Sequence, residues 1–124
     1  MAAKIKSGDN VVVLTGDEHQ NYAGELFIDG RNPAGEPIAT EFVATSISSG
    51  GDGVDQRPDM AAIQSVNPQL KFNNSQRGYV VCEVTPERWR TDFRVLDHVH
   101  NRTGVLSTRK SMVVEGGSAR LHDA

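Results

Sequence analysis

Val11-Val12-Val13-Leu14-Thr15-Gly16-Asp17-Glu18-His19 is the stretch that decides the fold class. Its first five residues are apolar or β-branched without interruption, and they stop at a glycine. β-Branched side chains lose rotamer freedom in a helix and pack well on a pleated surface, so the run predicts a strand. Because its apolarity is continuous rather than alternating, it predicts a strand covered on both faces. Gly16 permits a sharp turn. Asp17 and His19 then fall on the loop at the strand's C-terminal end, where a fixed strand holds side chains in the open. A carboxylate and an imidazole two positions apart are both metal-ligand types. Taken alone, the Asp-x-His pattern fits a metal site or a plain surface turn.

Moving outward, Tyr22 to Asp29 partly alternates and predicts a second strand. Asp29 to Pro37 is dense in Gly, Pro, Asn and Asp and predicts a loop. Ile38 to Ser46 predicts a third strand, with Phe42, Val43 and Ile47 as apolar anchors. Ser46 to Gly53 is a small-residue loop. Pro58 to Val66 is the one good helix candidate, with Pro58 at the first helical position, a stripe of Met60, Ile63 and Val66, and Asn67-Pro68 as its stop. Gly78 to Thr85 predicts a strand, turned by Pro86-Glu87. Arg88 to Val99 alternates: Trp89, Thr91, Phe93, Val95 and Val99 face one way, and Arg90, Asp92, Arg94, His98 and His100 the other. That is a half-buried strand hairpinned to its predecessor. Ser107 to Glu115 is a last strand, and Gly116 onward predicts a frayed tail. The expected architecture is α+β but mostly β, about six strands in sheet layers with one short helix. Residues 1–124 are expected to form a single domain.

The 124 residues, 37% hydrophobic and 23% charged, suit a globular chain that buries roughly two-thirds of its unfolded surface. Twelve glycines favour turns and β-structure over helix. The net charge of −3 supplies no basic field for nucleic acid. Arg77, Arg88, Arg90 and Arg94 cluster, but interleaved acids make them a solvated strand face. Cys82, the one cysteine, excludes an internal disulfide and reads as a buried small apolar strand residue. No run of about 18 apolar residues predicts a membrane span. Met1 to Asn10 lacks the apolar core of a signal peptide. Localisation is open on these grounds.

Other candidate groups are weaker. His98 and His100, at i and i+2 on one strand, could clamp a metal or simply face solvent. His122 lies in the expected tail. The Ser46–Gly53 loop could cradle a phosphate with backbone amides, but it lacks the Lys-Ser/Thr ending of a P-loop and the ligand ladder of an EF-hand. A plain mobile loop is its other reading.

Several ordered blocks resemble the PhoD-like (alkaline phosphatase D) metallophosphatases. Val12 to His19 is similar to the Val-Leu-Thr-Gly-Asp-Val-His segment of that family. Thr40 to Gly53, Lys71 to Val80, Cys82 to Val95 and Ser107-Thr108-Arg109 resemble the blocks that follow it. The likeness runs from about Asn10 to Glu115, nearly the whole chain. Glu18 departs from it by replacing an apolar residue, Asn73 by replacing an aromatic, and Val81 by replacing an arginine.

The resemblance implies part of a metallophosphoesterase sandwich, with hydrolysis of phosphomonoesters and phosphodiesters, and iron and calcium as cofactors. By it Asp17 is a metal ligand, and His19 is a metal ligand or a catalytic residue at the phosphate. The family's remaining ligands, a Cys, a Tyr, an Asn and further Asp residues, precede the matched segment. The chain is therefore expected to be a C-terminal segment with little activity alone. A non-catalytic binding or self-assembling module is the alternative, with a homo-oligomer as its partner state. A third reading has a separate N-terminal chain complete the site. Members are often exported.

Overall fold

The structure, a computed structural model, describes residues 10–33 and 35–124. Of the sequence expectations, the polar stretch preceding Asn10 and one position of the Asp29–Pro37 loop, Ala34, lie outside the described residues. Two four-stranded sheets pack face to face. The first contains β1 (Val12–Thr15), β2 (Asn21–Leu26), β3 (Ala39–Val43) and β4 (Leu70–Asn74) in the order β1-β3-β2-β4. Its β1–β3 pair is parallel and the rest antiparallel. The second is an antiparallel meander of β5 (Gly78–Val84), β6 (Arg88–Leu96), β7 (Leu106–Glu115) and β8 (Leu121–Asp123). One helix, α1 (Met60–Val66), precedes β4. The mostly-β, layered class with a single short helix is as the sequence predicts. Among the described residues, no helix is long and apolar enough to cross a membrane.

The alternation in β6 builds the core. Thr91, Phe93 and Val95 are buried, whereas Arg90, Asp92 and Arg94 are only half so. Phe93 is 0% exposed and meets Phe72 at 4.9 Å and Phe42 at 6.2 Å between ring centroids, both pairs tilted. Tilted aromatic pairs gain roughly 0.5–1.5 kcal/mol beyond their burial. Ala23, Met112, Val114 and Leu121 complete the cluster, so it draws on both sheets.

Several expectations are corrected. β1 is an edge strand rather than a doubly covered one, and Leu14 is 53% exposed. A continuous apolar run indicates cover on both faces, but here Val12 packs partly against the core while Leu14 and Thr15 are exposed. The strand beginning at Arg88 stops at Leu96, so Val99, His98 and His100 lie in the following turn. There Asp97 Oδ1 accepts the Val105 amide at 2.8 Å and closes the loop. Ile47 is 66% exposed and anchors nothing. In α1, Met60 is buried but Val66 is exposed, so the expected stripe is incomplete. Two strands, β4 and β8, come in addition to the expected six.

The expected tail is instead pinned. The Asn10 side chain donates to Glu115 O at 3.0 Å and Ser118 O at 3.1 Å, and accepts the Gly117 amide at 2.7 Å. Thr40 Oγ1 donates to Ala119 O at 2.8 Å. Glu25, 2% exposed, accepts the Leu121 amide at 2.9 Å and pairs with Arg120 at 3.4 Å and Lys71 at 3.6 Å. A carboxylate buried this far is tolerated because it is both paired and hydrogen-bonded. His122 is exposed, as expected, but sits in β8 opposite Val113.

Phe93→Ala is expected to lower stability by about 3–5 kcal/mol, since it removes the ring shared by both layers. Val66→Ala should change it by less than about 0.5 kcal/mol. Urea unfolding followed by tryptophan fluorescence measures both, and similar midpoints for the two variants would contradict this core.

Candidate functional site

The end of β1 is fixed before it turns. Thr15 lies opposite Val43 in the parallel pair, its carbonyl accepts the Ala44 amide at 3.0 Å, and its hydroxyl donates to Glu41 at 3.1 Å. Beyond Gly16, Asp17 (φ 72°) and His19 (φ 58°) both take left-handed backbone conformations. Asp and His enter this region more readily than most residues, yet each instance costs of order 1 kcal/mol and persists only where the surroundings hold it. Asp17 and Glu18 are exposed, and His19 is half-buried.

Arg77 provides that hold. Only 5% exposed, its guanidinium donates to His19 O at 2.6 Å, Gly51 O at 2.8 Å, Gly50 O at 3.3 Å and Thr45 Oγ1 at 3.3 Å. The planar fork suits several convergent acceptors, and bonds from a charged donor contribute about 1.5–3 kcal/mol each. No carboxylate pairs with Arg77 among the described residues. The sequence reading placed it with Arg88, Arg90 and Arg94 on a solvated face. Those three are on the open face of β6, where Arg88 pairs with Glu83 and Arg90 with Asp92. Arg77, buried beside the Asp17–His19 turn, is the residue that reading misplaced. The available signal was its context, Asn73-Asn74-Ser75-Gln76, four consecutive polar residues that end β4 and lead into the crossing.

The Ser46–Gly53 loop is anchored at both ends. The Ser46 carbonyl accepts the Gly78 amide at 3.1 Å, and its hydroxyl donates to Ser49 O at 2.7 Å. Gly53 (φ 72°) passes so close to the Ser75 carbonyl that a β-carbon would lie 1.8 Å from its oxygen. Between these anchors, Asp52 accepts the amides of Val99 at 2.7 Å and His100 at 3.1 Å, while its second oxygen meets His100 Nδ1 at 2.8 Å. The expected mobile loop is thus tied to two other segments.

His98 and His100 come together, though not on a strand face. Their rings stack at 4.5 Å, and His98 is held by Asp97, Asn101 and Thr103. Both His98 nitrogens have partners within this turn, and His100 Nδ1 is taken by Asp52 of the 46–53 loop. Cys82 lies half-buried on β5, its sulfur 3.6 Å from Thr91 Oγ1.

A buried polar network borders the site. Asn21 Nδ2 donates to Asn74 Oδ1 at 3.2 Å, and Asn21 Oδ1 accepts the Thr45 amide at 3.0 Å. Asn74 Nδ2 donates to Asp55 at 3.1 Å and Gln76 at 2.8 Å. Asp55 in turn pairs with Arg109, whose guanidinium lies over the Phe72 ring. Arg109 first, with Asn74 assisting, holds the Asp55 carboxyl below its ordinary range.

Among the described residues, two clefts bear on the site. One, of about 370 Å³, lies between Val12 and the Val84–Trp89 hairpin. The other, of about 460 Å³, lies between α1 and the outer face of the first sheet. Neither is lined by Asp17 or His19. No group of three His, Cys, Asp or Glu side chains able to hold a metal occurs among the described residues. The Asp17 carboxylate suits iron or calcium and the His19 imidazole suits iron, but two donors are too few for either. The described residues alone do not make up an iron or calcium site.

Comparison with known proteins places the geometry in a family. A sequence profile described as PhoD-like phosphatase matches residues 1–93. The chain belongs to the PhoD-like phosphatase family. It is 45% identical over 112 residues to alkaline phosphatase D of Bacillus subtilis strain 168, covering 90% of this chain and 19% of the relative. A solved structure of PhoD superposes with a TM-score of 0.86 at 42% identity, covering 92% of this chain and 22% of that one. The chain therefore spans about a fifth of the length of the relatives it matches. Membership makes this a hydrolase-family chain and implies metal dependence as a family trait.

The Asp52 tether predicts a pH response. The Val99 amide first, then the His100 side chain, hold the Asp52 carboxyl below its ordinary value of 3.8. A depressed folded value means that the tether's stabilisation is present above the unfolded pKa and is lost as pH falls through the folded one. The Val99 amide resonance is expected to move only below about pH 4, and Asp52→Asn should abolish that movement. A Val99 titration unchanged by Asp52→Asn would refute the tether.

Proposed function

We propose that this chain is the C-terminal segment of a PhoD-like metal-dependent phosphoester hydrolase domain and that it carries two site groups, Asp17 and His19. The observation behind this is the turn after β1: a carboxylate and an imidazole held in left-handed conformations at the exposed end of a fixed strand. In this reading Asp17 is a metal ligand, and His19 is a metal ligand or contacts the phosphate. Iron and calcium are the metals the family resemblance implies, and phosphomonoesters or phosphodiesters are the substrate class. The described residues supply too few donors for a complete centre, so the remaining donors come from polypeptide beyond the described residues. The 124-residue chain supplied with iron and calcium is expected to show little or no turnover of p-nitrophenyl phosphate. Turnover abolished by Asp17→Ala would overturn the incomplete-site reading.

A second reading, a self-associating module without catalysis, is favoured by the strand edges. β1 and β5 are both edge strands, and between them Leu14, Tyr79, Val81 and Val84 are exposed. Glu83 is the one charged residue on these two edges. Uncharged, apolar edges invite pairing with another strand. Gel filtration with light scattering is expected to report species larger than the 13.5 kDa monomer. A compact monomer at all concentrations tested would remove this reading.

A further inference from the structure

We propose that Arg77 is a positioning residue for the Asp17–His19 turn, joining it to the Gly50-Gly51 backbone as one rigid unit. This deepens, and rests on, the reading of Asp17 and His19 as site groups. The guanidinium is buried, and its acceptors are carbonyl and hydroxyl oxygens from three separate segments. His19 and Arg77 are 58 positions apart, yet theirs is the shortest of the four bonds at 2.6 Å. That bond fixes the peptide unit carrying the His19 side chain. A cation facing neutral acceptors in a buried site is costly unless its donors are well used, so these carbonyls cannot move away without exposing the charge or orphaning it.

The contact extends beyond the backbone. A β-carbon on Gly50 would lie 3.3 Å from Arg77 Nη2 and 3.5 Å from His19 Nδ1. The imidazole therefore rests against the same glycine that Arg77 grips, and Gly50 has φ 89°. On the far side, Asp52 holds the amides of Val99 and His100. The short Gly50–Asp52 segment is thus held by a cation on its carbonyls at one side and tied by its own anion to amides on the other. A displacement of the His19 turn is transmitted to this segment, and a displacement of the segment to His19.

Nuclear magnetic resonance on the isotope-labelled 124-residue chain tests this without any turnover. Arg77→Lys retains the charge but replaces the planar fork with a compact ammonium that cannot satisfy the same acceptors. In this variant the backbone order parameters of residues 17–19 and 50–53 are expected to fall together, from about 0.85 toward 0.6 or lower. The His19 imidazole signals should shift, and the amides of β6 and β7 should keep their native dispersion. Gly50→Ala, in the exposed loop, is expected to shift the same His19 signals across 31 positions of sequence. Loosening of residues 50–53 alone, or unchanged His19 signals in Arg77→Lys, would overturn the proposal. Should Arg77→Lys fail to fold by circular dichroism, Gly50→Ala decides alone, and unmoved His19 signals then sink it. An inactive chain leaves the clamp intact, and failure of the clamp leaves the ligand assignment standing.

Discussion

The chain passes from its first sheet to its second through Asn74-Ser75-Gln76-Arg77-Gly78, and this crossing is largely buried and polar. Backbone amides and carbonyls taken out of water must find partners, and several here draw theirs from other parts of the fold. The Ser75 amide donates to Val54 O, the Gln76 amide to Asn74 Oδ1 and the Gly78 amide to Ser46 O, while the Arg77 carbonyl accepts from Leu96. The side chains repeat the pattern: Ser75 Oγ meets both the amide and carbonyl of Val54, and Gln76 Nε2 reaches Leu96 O. The Phe42-Phe72-Phe93 contact supplies apolar burial, which is non-directional. The crossing adds direction, because its bonds can be satisfied together in only one arrangement of the two sheets and the 46–53 loop.

That division explains what was legible in the sequence. Alternation in β6 identified Thr91, Phe93 and Val95 as inward, because a period of two depends only on the strand's own pleat. The β1 run likewise reported a strand and the turn after it. The degree of cover on β1 was not legible, since cover depends on what lies beside a strand. Arg77 was misread for a related reason. An arginine grouped with Arg88, Arg90 and Arg94 looks solvated, and its burial depends on carbonyls at His19, Gly50 and Gly51 that come near only after folding. The residues after Gly116 looked like a tail because Gly-Gly-Ser has no strand propensity. Their docking comes from Asn10, Glu25 and Thr40, which lie in the first sheet or next to it. The resemblance carried by the ordered blocks named the family, and no local pattern in composition or spacing did so.

Electrostatic complementarity unites the site's neighbourhood more than any salt bridge does. Arg77 faces carbonyl oxygens and Asp52 faces amide hydrogens, so each charge is met by the matching end of a peptide dipole. Charge-assisted bonds to backbone are shorter and stronger than neutral ones. They also constrain main-chain position, where a pair of mobile surface side chains does not. This arrangement is suited to holding Asp17 and His19 in left-handed conformations while the Asp17 side chain stays exposed and the half-buried His19 ring rests against Gly50. The strain of two such residues in three positions is then sustained by a buried cation supplied from the crossing. Any change that frees the crossing should therefore loosen the Asp17–His19 turn before it reaches the aromatic core, because the core's contacts do not pass through His19, Gly50 or Gly51.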